Sequence, residues 1–253
     1  MEKKLKSWQG WLLFGGTMVV VFVLGMIAAS VNERHAEVSS VMNNKKTEIT
    51  GIEARNDKFE PNYPREYQTW EATADTSFKS LYNGNQAVDV LEARPEMVIL
   101  WAGYAFSKDY STPRGHMYAI EDMRNTLRVG APMTENEGPQ PATCWTCKSP
   151  DVPRMMQAMG VDNFYKGKWA SLGKEIVNPI GCADCHEPEN MNLHISRPAL
   201  IEAFQRQGKD ITKATQQEMR SLVCAQCHVE YYFKGDGKYL TFPWDKGSTV
   251  EDM

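Results

Sequence analysis

The sequence predicts a mainly α-helical domain with long irregular loops, preceded by an N-terminal membrane helix. Three observations carry the prediction. An uncharged run from Ser7 to Asn32 follows a cluster of lysines, helix-capping signals alternate with Pro- and Gly-bearing stretches, and all six cysteines fall into three C-x-x-C pairs. At 253 residues the chain is long enough to bury a sizeable core. A formal net charge of −4 gives no reason to expect a nucleic-acid partner.

The N-terminal element comes first. Lys3, Lys4 and Lys6 precede a run whose centre, Trp11 to Ala29, is strongly apolar, and about 20 such residues span a hydrocarbon core. The lysines are expected to stay on the cytoplasmic side, which puts everything after Asn32 outside the cytoplasm. A cleaved signal peptide is the alternative, since Ala28, Ala29 and Ser30 are small enough for a cleavage site. The length of the run favours an uncleaved anchor over residues 8–29, so residues 1–32 read as signal anchor or signal peptide. Residues 33–56 are polar, with little periodicity, and read as a stalk. The remaining residues, 57–253, form the expected folded domain, opening on the aromatics Phe59, Tyr63, Tyr67 and Trp70.

Within that domain Val98-Ile99-Leu100-Trp101 fits a buried strand or a helical turn equally well. From Met117 the pattern turns helical, with Ala119, Ile120, Met123 and Leu127 on one face and Arg128 closing the helix before Gly130 and Pro132. A loop from Gly130 to Pro141 follows. Ser149-Pro150 reads as an N-cap with Pro at the first helical position, and Gly160 as the C-cap after Met155, Met156 and Met159. Helical spacing assigns those methionines to packing rather than to iron ligation. Ser196 and Pro198 open a helix through Ala203 and Phe204, and Thr215 with Glu218 makes a capping box for a helix running into Cys224.

The cysteines carry the chemistry. Cys182-Ala183-Asp184-Cys185-His186 and Cys224-Ala225-Gln226-Cys227-His228 are C-x-x-C-H sites, in which two thioethers hold a haem and the next residue ligates its iron. Only five histidines occur in the chain, so two such matches by chance run to roughly one in 2,500. Structural zinc is disfavoured because 34 residues separate Cys147 from Cys182 and 38 separate Cys185 from Cys224, against about 15–20 in compact zinc modules. Disulfides would leave the adjacent histidines unexplained. The third pair, Cys144-Trp145-Thr146-Cys147, ends in Lys148.

Distal ligands for the two ordinary sites must come from His35, His116 or His194. His35 lies on the stalk. His116 follows Gly115, which allows close approach to a flat macrocycle, and His194 can fold back on the Cys182 site. Lys148 is either the axial ligand of a third haem or a surface lysine. A free lysine amine has a pKa near 10.4, so holding one neutral at pH 7 costs roughly 4–5 kcal/mol before a metal bond repays it.

The stretches Val98 to Tyr104, Pro113-Arg114-Gly115-His116, Thr126-Leu127-Arg128, Cys144 to Val152, Gly181 to His186 and Cys227-His228-Val229-Glu230-Tyr231-Tyr232-Phe233 together resemble ammonia-forming cytochrome c nitrite reductase. The resemblance runs from about Phe59 to Met253. It implies a multihaem cytochrome c domain, mainly α, with loops wrapping haem, and six-electron reduction of nitrite to ammonium, as in respiratory nitrite ammonification. By resemblance Lys148 is the proximal ligand of the catalytic haem, Arg128 holds the anion and Tyr231 lines the pocket. The haem c sites are then Cys144, Cys147 and Lys148; Cys182, Cys185 and His186; and Cys224, Cys227 and His228, with His116 distal to the last. Glu230 and the Tyr231 carbonyl match a calcium site. Implied partners are nitrite, a membrane quinol-oxidising or soluble cytochrome donor, the inner membrane and, as in the family, a second copy in a homodimer. The implied location is periplasmic.

The family has five haem sites and this sequence has three. The stretch Pro243-Trp244-Asp245 to Met253 continues without a break in relatives, so the chain is expected to be the N-terminal part of the catalytic domain, truncated. Alternatives to the reductase are a membrane-anchored three-haem electron-transfer cytochrome, an inactive truncated reductase, and an octahaem relative, against which the Arg128 and Glu230-Tyr231 pairing weighs.

Overall fold

The computed structural model describes residues 7–43, 45–79, 81, 85–103, 107–126 and 140–253. It divides into two units, Met1–Lys46 and Thr47–Met253. The first is one helix, α1 (Ser7–Asn43), of 37 residues, or about 55 Å at 1.5 Å per residue. It is long and apolar enough to cross a membrane. Its apolar side chains from Trp11 to Ile27 are exposed around the whole helix, the pattern of a helix meant for an apolar surround.

The expected stalk is divided differently. No glycine or proline interrupts Val31 to Asn43, so α1 runs on through residues that looked irregular. Thr47 to Asn56 already belongs to the second unit. Ile49 buries against Phe59 and Tyr63, and the Asn62 amide brackets Thr47, accepting from its N–H at 3.0 Å and donating to its carbonyl at 2.8 Å.

In the second unit α2 (Pro64–Glu71) starts on its proline. The one-turn α3 (Val90–Ala93) is capped by Asp89, whose carboxylate accepts from the Leu91 and Glu92 N–H groups. The Val98–Trp101 run is neither buried nor a strand. A 3₁₀ turn over Pro95–Ile99 takes in Val98 and Ile99, as the helical-turn reading has it, and Val98, Ile99 and Leu100 are exposed. A 3₁₀ turn at His116–Tyr118 leads into α4 (Ala119–Asn125), which buries Ile120. The helix ends at Asn125, where Thr126 is extended and its hydroxyl donates to the Asp122 carbonyl at 2.6 Å, and the expected end at Arg128 lies outside the described residues.

The core is built by α5 (Asp151–Met159), α6 (Val161–Lys166), α7 (Trp169–Leu172) and α9 (Pro198–Arg206) against a hairpin of β1 (Tyr232–Lys234) and β2 (Tyr239–Thr241). The one-turn α8 (Cys182–Cys185) and α10 (Gln216–Ala225) carry the other attachment loops. Gly160 ends α5 at φ +86°. Met155 and Met156 are buried as expected of packing residues, while Met159 is exposed. Ser149 starts α5 by accepting the Asp151 N–H at 3.0 Å, and Thr215 and Glu218 close their capping box. Ser196 does not cap α9. Its hydroxyl donates instead to the Asp184 carbonyl at 2.7 Å. The antiparallel hairpin, register Phe233 opposite Leu240, was not anticipated.

Candidate functional site

Each attachment loop is held by a different device. In the lysine loop the anchor is Trp145, fully buried, stacked on Trp169 with centroids 4.6 Å apart and donating from Nε1 to the Trp169 carbonyl at 3.0 Å. With the indole pinned inward, Cys144, Cys147 and Lys148 are left half-buried at the loop's edge.

The Cys182 loop is fixed from the N-terminal side. The Asn56 side-chain Oδ1 accepts the Cys182 N–H at 2.9 Å, and the Trp70 indole donates to the Ile180 carbonyl at 2.8 Å. A Cβ on Gly181 would run into the Asn56 side chain, so this position requires glycine. His186 Nδ1 lies 2.7 Å from the Met191 carbonyl. A carbonyl only accepts, so Nδ1 carries the proton and Nε2 keeps the lone pair that a metal takes. Met191 adopts φ +60° to present that carbonyl.

His194 folds back on the same loop, but its Nε2 is turned to the Ala183 carbonyl at 3.3 Å. His35 lies on α1 in the first unit.

His116 and His228 come together. Their ring centroids are 6.1 Å apart with planes inclined at 37°. Two imidazoles bound on opposite sides of one metal, with bonds of about 2.0 Å, put their centroids roughly 6 Å apart. The observed spacing therefore fits an iron between the rings. Burial, then the neighbouring His228, lowers the His116 pKa, which favours the neutral form that ligates. Gly115 also comes close to the protein backbone, since a Cβ there would stand 2.9 Å from the Thr73 carbonyl oxygen.

None of the six cysteines is in a disulfide. Cys147 and Cys227, from different loops, are in side-chain hydrogen-bonding contact, and this contact draws the Cys147 thiol below its ordinary pKa while Cys227 is raised. Burial pushes Cys182 and Cys185 up to about 11.

Glu230 and Tyr231 are exposed just ahead of β1, with the Tyr231 and Phe233 rings 5.8 Å apart. Two oxygen ligands fall short of the six to eight that calcium takes, and among the described residues no group of three or more His, Cys, Asp or Glu side chains is arranged to hold a metal. Arg128 lies outside the described residues.

A buried polar node was missed by reading the sequence. Arg197, Asp184 and Gln226 are all fully buried. The available signal was that Asp184 and Gln226 hold the same position in their C-x-x-C motifs.

Residues 55–253 match the Cytochrome c552 family. The chain is 99% identical over 253 residues to cytochrome c-552 of Parabacteroides distasonis, covering 100% of this chain and 51% of that protein. It is 77% identical over 253 residues to cytochrome c-552 of Bacteroides fragilis, again covering 51% of it. Among solved structures it resembles the catalytic subunit of cytochrome c nitrite reductase from Desulfovibrio desulfuricans, a protein described with two calcium sites. That match has TM-score 0.74 and 33% identity, and covers 81% of this chain and 47% of the other. The chain spans about half the length of the curated relatives it matches. On the family match and these likenesses, the chain belongs to the cytochrome c552 family.

Proposed function

We propose that this chain carries three covalent c-type haems and forms part of a nitrite reductase that makes ammonium. One observation carries the reading. Lys148 stands where His186 and His228 stand in the other two loops, and its loop is joined to the Cys182 loop through Arg197, which donates to the Thr146 and Ser149 carbonyls and to Asp184. A histidine there would serve an ordinary carrier equally well, so the exception points to chemistry at this site.

A haem held by Cys144, Cys147 and Lys148 would supply redox iron chemistry at this loop. The Lys148 amine is the proximal ligand in this reading. The Arg128 guanidinium, planar and always charged, binds the bent oxyanion, and the Tyr231 phenol donates hydrogen bonds or protons to it. His186 and the pair His228 and His116 serve the two haems that deliver electrons. Conversion of nitrite to ammonium consumes six electrons and eight protons and releases two waters. Glu230 and the Tyr231 carbonyl are two of the oxygen ligands of a calcium ion beside the site.

The same reading puts α1 in the inner membrane through residues 8–29, with the domain in the periplasm. Its electron donor is a membrane quinol-oxidising cytochrome or a soluble cytochrome, and the assembled protein is a homodimer. A three-haem electron carrier is the second reading, and the pairing of His116 with His228, which suits a haem that only transfers electrons, belongs to both readings.

The test is intact mass together with turnover. Expressed with the attachment machinery specific for the lysine site, the protein should gain three haems, and without it two. The full-length protein should convert nitrite to ammonium with a reduced viologen donor. Mass without haem under both conditions overturns the reading, and three haems without ammonium production favours the carrier.

A further inference from the structure

We infer that Arg197 is the positioning residue that fixes Lys148 and its loop against the other two attachment loops. The inference rests on the proposed role of Lys148 as a haem ligand and adds what holds that ligand in register.

The geometry is specific. Arg197 is 1% exposed. Its Nε donates to the Thr146 carbonyl at 2.6 Å and its Nη2 to the Ser149 carbonyl at 2.8 Å. These two carbonyls bracket Cys147 and Lys148 in the chain, so one guanidinium clamps the segment on both sides of the ligand. Nη2 also donates to Asp184 Oδ1 at 2.5 Å, and Nη1 to the Ser196 hydroxyl at 2.7 Å.

Asp184 belongs to the Cys182 loop and braces it too, accepting the Gly181 N–H on Oδ2 at 2.8 Å. The Cys224 loop joins through Gln226. Its Oε1 accepts the Ser196 and Arg197 N–H groups, each at 3.1 Å, and its Nε2 donates to the Asp184 carbonyl at 2.8 Å. Thr146, Asp184 and Gln226 each stand immediately before the second cysteine of their motif. Equivalent positions of three loops therefore meet at one buried cation.

The chemistry requires arginine. Burial opposes the charge, and the Asp184 carboxylate more than offsets it, so the guanidinium is held charged. A planar fork with several fixed donors reaches two carbonyls and a carboxylate at once, which a single ammonium cannot do.

The experiment uses the haem-loaded protein and the variants Arg197→Lys and Arg197→Met. Intact mass counts haems, electron paramagnetic resonance reads each haem's ligand field, and hydrogen exchange reads the loop. Both variants should keep three haems. The signal of the lysine-site haem should broaden or split into more than one species, while the signals of the two histidine-ligated haems persist. Amide exchange at Thr146 and Lys148 should rise at least tenfold. Arg197→Lys should behave as Arg197→Met does, because the fork and not the charge is what acts. A wild-type spectrum and wild-type exchange in Arg197→Lys, or equal change at all three haems, overturns the inference.

Should neither variant fold, wild-type exchange decides. The Thr146 and Lys148 amides should be as slow as the amides of α10, and exchange a hundredfold faster would overturn the clamp. Two haems on the wild type with Cys144 and Cys147 unlinked would sink the functional reading instead. The exchange measurement then still decides the clamp, since Arg197 bonds the loop's backbone and not the haem.

Discussion

The imidazoles of His116 and His228 stand with their ring centroids 6.1 Å apart, one on a 3₁₀ turn and the other just beyond α10. Replacing His116 by Ala should leave the Cys224/Cys227 haem attached, because the thioethers and His228 are untouched. One low-spin haem should become high-spin in the optical and electron paramagnetic resonance spectra. An unchanged low-spin count would mean that the distal ligand is another residue.

Lys148→His tests the exception among the three loops. The variant should acquire three haems with ordinary C-x-x-C-H attachment machinery alone, measured by intact mass. In the full-length protein it should reduce nitrite at least tenfold more slowly, since a histidine changes the ligand field opposite the substrate position. Equal turnover would leave the lysine without a tuning role.

Asp151, close behind Lys148, is 2% exposed and accepts from the Val177 and Asn178 N–H groups at 2.8 and 2.9 Å. Asp151→Ala leaves those donors, and the Asn178 amide that also binds the carboxylate, without their acceptor. A stranded donor costs about 1–3 kcal/mol where water cannot reach it, and here Asn178 is half-buried and Val177 exposed. Urea denaturation should show a loss of roughly 2–4 kcal/mol on that basis, and a loss below about 1 kcal/mol would mean that water replaces the carboxylate.

The capping box of α10 predicts a pH dependence. The Thr215 hydroxyl and N–H both bond Glu218, at 2.7 and 2.8 Å, and the hydroxyl contact is the larger cause of a carboxyl pKa below its ordinary value. A depressed carboxyl stabilises the fold above its unfolded pKa, and that contribution fades as pH falls through the lowered folded value. Thr215→Ala should therefore cost about 1 kcal/mol at neutral pH and less at pH 3, measured by denaturation midpoint. A deficit that grows on acidification would have the wrong sign.

What was legible in the sequence was local or covalent. The Thr215–Glu218 box, Gly160 as a C-cap and the packing role of Met155 and Met156 follow from spacing within one or two turns. The pairing of His116 with His228 followed from a resemblance, and spacing alone left His194 open. Arg197 was illegible because its role is made by carbonyls of residues 146 and 149 and a carboxylate at 184, none near it in sequence.

The missed hairpin is a different kind of failure. Tyr231-Tyr232-Phe233, then Gly235-Asp236-Gly237, then Tyr239-Leu240-Thr241 is a strand–turn–strand pattern, weak because each strand is only three residues long. The helix expected to reach Arg128 is described only as far as Asn125, with Thr126 extended and its hydroxyl on the Asp122 carbonyl.

The convergence of Thr146, Asp184 and Gln226 on one guanidinium means that the three attachment loops are not interchangeable cassettes. Grafting Cys-Ala-Gln-Cys-His onto positions 144–148 would remove the Trp145 indole from its stack on Trp169 and bring a second amide side chain to a centre already filled by Gln226. A designer who wished to alter the ligand at this haem would have one safe position, residue 148 itself, and would have to leave the rest of the loop as it is.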